Sequence, residues 1–191
     1  MARRNGIGTL DAALNHGRNN ATQIVACIGE PTTAAEGIEP NVFAGSTAYA
    51  LGAVVRPATR NTFAYEVTTA GTTAVAEPTW PVTPGTTVVS GTVTFTCRAN
   101  RATAVLPMAP GNYTVANGLS GGNTPRRLTM AARPGATVFR AGSVDHAALM
   151  NPGTPTAPPE LFWVTVATPR TYAVSDTLDF PGWTIEIGAA A

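Results

Sequence analysis

Short apolar runs separated by turn residues dominate the chain, and most of them alternate with a period of two. "TFAYEVTTAG" sets Phe63, Tyr65 and Val67 on one face, as a half-buried strand requires. "TTVVSGTVTFTCR" reads as two short strands joined through Ser90-Gly91. "STAYALGAVVRP" reads as an edge-like strand closed by Pro57. Upstream, "QIVACIG" is a β-branched apolar run, predicted to be a buried strand before the loop "EPTTAAEGIEP". Downstream of Arg101, "TAVLPM", "NYTVAN", "PRRLTMAA", "ATVFRAG", "LFWVTVA" and "GWTIEIG" are strand-like, while the proline-rich "NPGTPTAPPE" lacks the donors for a sheet. Helical signal is confined to "TLDAALNHG", with Asp11 in its first turn and Gly17 as its stop.

These elements predict an all-β protein in three parts. Residues 1–22 form an extended N-terminal arm containing a helical turn. Residues 23–40 and 101–191 form a main β-region of sandwich or barrel type, and 41–100 form a small β-domain inserted into it. No internal repeat is visible.

Composition supports that class. There are 19 glycines and 16 prolines, and the apolar residues are mainly Ala and Val rather than Leu, which disfavours helix bundles. Charged residues make up 12% and the net charge is +1, so no strong field is present to hold nucleic acid or a membrane surface. All 12 basic residues are Arg; a codon bias accounts for this, and so does a demand for the planar guanidinium in ion pairs. "MARRNGIG" lacks the apolar run of a secretory signal, and no apolar stretch of about 18 residues exists for a membrane span. Synthesis in a cytoplasm is expected. Cys27 and Cys97 read as two buried free thiols.

Candidate chemistry is sparse. Ser143, Asp145 and His146 suggest a triad, but residues so close in sequence rarely adopt triad geometry, and a helix cap before "HAALM" is the simpler reading. His16, His146, Cys27 and Cys97 are solitary, unlike zinc ligands. "GLSGGN" lacks the lysine of a phosphate-binding loop. Asp176 and Asp179 resemble a glycosidase pair but sit where Asp commonly makes turns. No enzymatic activity, metal or cofactor is therefore expected. Tyr49, Phe63, Tyr65, Trp80 and Phe95 remain. They serve either as a small core or, at Tyr65 and Trp80, as an exposed aromatic surface for glycans.

The order Tyr49, Gly52, Val54, then Tyr65, Val67, Gly71, then Pro78, Trp80, Pro81, Gly85, Val88, and finally Gly91, Val93, Phe95, Cys97 resembles a small β-module of tailed-bacteriophage virion proteins. Phe95 stands where that module frequently has Trp, which weakens a sugar-stacking platform. The resemblance implies a virion component, and the absence of shaft-like repeats favours the capsid surface over a tail fibre. It implies a capsid decoration protein that binds the assembled major capsid protein, as a homo-oligomer, trimer or dimer. Arg3, Arg4 and Arg18 are then the candidate capsid contacts of the arm. A glycan-binding adhesin and a neck or tail-completion ring component are the alternatives.

Overall fold

The computed structural model describes residues 7–117 and 126–187. Arg3, Arg4 and the "GLSGGN" segment lie outside the described residues. The chain opens with helix α1 (Ile7–Asn20), strand β1 (Gln23–Cys27) and the single-turn helix α2 (Ala34–Gly37). Strands β2 (Asn41–Val42), β3 (Ala48–Tyr49), β4 (Val54–Arg56), β5 (Phe63–Thr69), β6 (Gly71–Thr72), β7 (Thr87–Ser90) and β8 (Val93–Ala99) follow. The remainder comprises β9 (Ala102–Pro107), β10 (Tyr113–Asn117), β11 (Arg126–Met130), β12 (Arg133–Thr137), β13 (Gly142–Asn151), β14 (Glu160–Tyr172), β15 (Thr177–Phe180) and β16 (Trp183–Ile187). The protein is all-β, built from open sheets with no barrel closure.

The organising strand is β1. It lies between β13 and β9 in a four-stranded sheet of order β14-β13-β1-β9, antiparallel to both neighbours. Ile24 and Ala26 enter a core with Leu14, Leu128, Met130, Leu149, Leu178 and Phe180. Val25 and Cys27 enter a second core with Ile38, Val54, Ala64, Ala148 and Met150. Both faces of β1 are buried, which is why its sequence reads as a continuous apolar run rather than an alternating one.

Between β1 and β9 the chain forms its own five-stranded sheet, β2-β4-β5-β8-β7, with the small pair β3-β6 beside it. A third core fills this part: Tyr49, Val55, Tyr65, Val67, Phe95 and Cys97. The segment leaves and returns at one place, where the Ile28 N–H donates to the Arg101 carbonyl at 2.9 Å. Asn100 holds that junction. Its buried amide donates to the Ile38 carbonyl at 2.7 Å and its Oδ1 accepts from the Ala102 N–H at 3.2 Å. The Arg140 guanidinium donates to the Asn100 carbonyl.

Several elements differ from the sequence reading. "STAYALGAVVRP" is two strands, β3 and β4, broken by a turn at Leu51-Gly52. The β7–β8 turn is Gly91-Thr92, since Ser90 pairs directly with Val93; Gly91 takes the left-handed φ of +61° that this tight turn demands. "GSVDHAALM" is the strand β13, so neither Ser143 nor Asp145 caps a helix.

At the N-terminus, residues 7–20 form a docked helix instead of an extended arm. Leu14 is fully buried in the first core, and Asp11 accepts from Arg126 Nε at 2.5 Å. Gly17 does not stop this helix. A Cβ there would approach the Trp163 ring to 2.0 Å, so glycine provides room for the indole. Asp11 falls beyond the first turn because the helix begins at Ile7.

Replacing Asn100 leaves the buried Ile38 carbonyl and Ala102 N–H without partners, which costs about 1–3 kcal/mol. Urea unfolding of Asn100→Ala measures it, and stability equal to the parent chain would contradict the junction's role.

Candidate interaction surface

The aromatic residues of the small sheet turn inward. Tyr65 is 0% exposed; its hydroxyl donates to the Pro81 carbonyl at 2.8 Å and accepts from Asn61 Nδ2 at 2.8 Å. Trp80 is half-buried. Its ring lies 4.3 Å from Tyr65, 5.3 Å from Phe95 and 5.6 Å from Phe43, centroid to centroid, and its Nε1–H donates to Glu77 Oε1 at 2.7 Å. Of the two readings of these rings the small core holds, and the alternative of an exposed aromatic surface at Tyr65 and Trp80 is corrected: "EPTWP" folds back as a cover over the third core. Glu77 also accepts from the Ala58 N–H at 3.0 Å, which pins the cover to the loop after β4.

Arg18 lies in the last turn of α1 and donates to Asn19 Oδ1 at 3.2 Å. Other arginines are tied into the body. Arg60 pairs with Glu39, Arg98 with Glu66, Arg101 with Glu36 and Arg126 with Asp11, and Arg140 serves the junction. Arg60 also stacks over the Phe139 ring at 4.1 Å, a contact suited to a planar guanidinium.

The structure joins Asp145 and His146 but leaves Ser143 apart. Asp145 Oδ1 lies 2.8 Å from His146 Nδ1 and accepts the Gly29 N–H at 2.6 Å. No bond links Ser143 to the pair, so no triad geometry forms. The histidine and the Gly29 amide hold the Asp145 carboxyl below its ordinary range. Asp176 accepts from the Ala173 N–H at 2.7 Å and supports a local turn, while Asp179 accepts from the Gly135 N–H at 2.8 Å and ties β15 to β12. Cys27 and Cys97 are buried free thiols, and burial pushes the Cys27 thiol up to about 12. Among the described residues, no group of three or more His, Cys, Asp or Glu gathers to hold a metal.

What the sequence reading missed is the edge position of β14, whose core "LFWVTVA" it read as a strand. It is the edge strand of the four-stranded sheet and runs 13 residues, and it carries Leu161, Phe162, Trp163, Val164 and Val166. Val166 is 77% exposed. Two hollows flank the strand. One, of about 590 Å³, lies between α1 and its first residues and is lined by Ala13, His16, Phe162 and Trp163. The other, of about 340 Å³, is lined by His146, Thr165, Arg170, Tyr172, Phe180 and Trp183. The aromatic and β-branched residues of "LFWVTVA" lack the charges that usually mark an edge, so the segment itself carried no signal of its position.

Comparison of the chain with protein-family models, with curated proteins and with solved structures returns no match.

Two measurements check this geometry. Trp80→Ala is expected to cost about 2–3 kcal/mol in urea unfolding, because the ring closes a core. A change under about 0.5 kcal/mol would mark Trp80 as a surface residue.

Asp145 supplies the second, through pH. Its folded pKa lies below the ordinary value of 3.8. The stability it contributes is therefore complete above that value and is lost as pH falls through the depressed one. Asp145→Asn should lower the melting temperature near pH ~7, with the deficit shrinking as pH falls below the ordinary carboxyl value and the parent's Asp145 takes up its proton. A deficit persisting in acid would show that the carboxylate's charge is not what matters.

Proposed function

We propose that this chain is a non-enzymatic structural protein of a virion, a capsid decoration protein that binds the assembled lattice of a major capsid protein and stabilises it. The observation that carries this reading is the junction at Ile28 and Arg101, where a small β-lobe with its own core leaves and rejoins one sheet. Such a chain presents two separate surfaces. The lobe exposes Leu51, Val75, Val82 and Val89, and the four-stranded sheet presents β14 at its edge.

Low charge suits attachment by shape and apolar contact. A protein that binds only the assembled lattice shifts assembly by mass action, and many weak copies add their effects. The motif order from Tyr49 to Cys97 supports the phage assignment, since those residues form the lobe's scaffold: Tyr49, Tyr65, Val67, Val93, Phe95 and Cys97 are all buried. The glycan-binding alternative loses its geometric basis, because Tyr65 is buried and Trp80 spends its N–H on Glu77.

The docked helix also changes how the N-terminus should be probed. Deleting residues 1–20 removes Leu14 from the first core and destabilises the fold, which confuses attachment with unfolding. Arg3→Ser with Arg4→Ser is the cleaner variant.

Quantitative mass spectrometry of purified particles tests the reading. Hundreds of copies per particle, reduced in the Arg3/Arg4 variant at unchanged melting temperature, are expected. A dozen or fewer copies would instead indicate a neck or tail-completion ring, and none would remove the virion assignment.

A further inference from the structure

Two rows of paired residues cross the four-stranded sheet on the face toward the first core. One row is bulky: Leu106 of β9, Ile24 of β1, Leu149 of β13 and Trp163 of β14 neighbour one another in that order. The next row on the same face is small: Ala104, Ala26, Ala147 and Thr165. A small row beside a bulky one leaves a trough in the sheet. At the β9 end the row closes on the larger Val138, which bridges to Ala104 and lies in the same core. At the β14 end the trough stays open as the hollow of about 340 Å³, with Ala26, Ala147 and Thr165 as its floor and Phe180 and Trp183 on the opposite wall. Ala147, although in an inner strand, is accordingly only partly buried.

Two polar groups on this hollow lack partners, and both call for an acceptor. Arg170 pairs with Val144 across the β13–β14 ladder, so its side chain stands on the face where Val144 enters the first core. Its guanidinium lies over the Tyr172 ring at 5.1 Å and has no ion pair among the described residues. The Trp183 indole N–H is buried and has no hydrogen-bond partner. The acid on the same wall, Asp179, has its Oδ1 on the Gly135 N–H.

We infer that this hollow binds a small monocarboxylate with an apolar tail. The tail lies in the alanine trough beneath Phe180 and Trp183, and the carboxylate takes the Arg170 guanidinium at the exposed rim. A planar guanidinium holds a carboxylate through two parallel hydrogen bonds, and the Tyr172 ring keeps Arg170 in place for it. A cationic ligand would meet Arg170 as a like charge, and a wholly apolar one would leave both donors unpaired. The volume lies at the low end of the range of about 300–1,000 Å³ in which small-molecule sites fall, so the tail is short.

Register points to the same place. Val166 and Arg170 pair with His146 and Val144, so Ala167, Thr168 and Pro169 all oppose the single Asp145. Excess of this kind bends a strand and re-aims the side chains beyond it, commonly beside a site. The hollow is a property of the chain alone and needs no particle, so it stands apart from the virion reading.

Titration of the ¹⁵N-labelled full chain with sodium octanoate, followed at the indole N–H resonances of its 3 tryptophans, tests the inference. The Trp183 resonance is assigned by its loss in Trp183→Phe. It should shift and saturate with a Kd on the order of 0.1–1 mM. The Trp80 resonance, already bonded to Glu77, should stay in place. Octylammonium chloride, the same tail with the opposite charge, should bind at least about tenfold more weakly. Arg170→Gln, a change on an exposed side chain, should weaken octanoate about tenfold at an unchanged melting temperature. Ala147→Leu fills the trough and should abolish the shift; Arg170→Gln carries the test should that variant fail to fold. No saturable shift at Trp183 by about 10 mM octanoate would overturn the inference. So would octylammonium binding as tightly, octanoate binding unchanged in Arg170→Gln, or a shift that survives in folded Ala147→Leu.

Discussion

Two stretches of backbone far apart in sequence, at Ile28 and Arg101, must lie side by side within the protein, and every polar group they bring inside must find a partner. Burying an unpaired amide or carbonyl costs about as much as a lost hydrogen bond. The chain meets this constraint with a dense local network. Ile28 bonds Arg101 across the junction, and the Arg101 N–H donates to the Glu36 carbonyl at 2.6 Å. Asn100 uses both ends of its amide, and the Thr103 hydroxyl donates to the Ala26 carbonyl at 2.8 Å. Val25 and Cys27 on one side and Val54 and Ala64 on the other close the apolar space around it. The lobe and the four-stranded sheet thus share a core as well as a crossing point.

This arrangement gives the arginines an internal task. Glu36 illustrates it. Burial alone would raise its pKa, yet the Thr32 N–H and hydroxyl together with Arg101 outweigh that effect and hold the carboxyl below its ordinary value. Arg140 reaches a backbone carbonyl and Arg60 combines an ion pair with a ring contact. A compact ammonium could not make these planar contacts, so the all-arginine composition has structural work to do at the junction.

Much of the fold was legible because local periodicity and burial agree. The run "QIVAC" lies between two strands and faces two cores, and the alternation of Phe63, Tyr65 and Val67 matches the buried face of β5. Where the sequence misled, tertiary contacts had replaced local preference. Gly17 reads as a helix stop but makes room for Trp163 from a distant strand. "HAALM" has helical composition but pairs with β1 on one side and β14 on the other. For Trp80 between its prolines the sequence left core and surface both open, and Tyr65 and Phe95 supply the surface that takes its ring. The β14 edge was hidden for a different reason: a strand's place in its sheet depends on pairings that no single segment encodes.

The central claim is that β1, held between β9 and β13, organises the sheets and both of the cores that it faces. Native-state hydrogen exchange resolved by segment tests this most directly. The amides of Ile24–Cys27, with those of β9 and β13, should exchange only through global unfolding, later than or together with β5 and β8. Early exchange across Ile24–Cys27 while β5 and β8 stay protected would contradict the account, since the lobe would then outlast the sheet said to carry it.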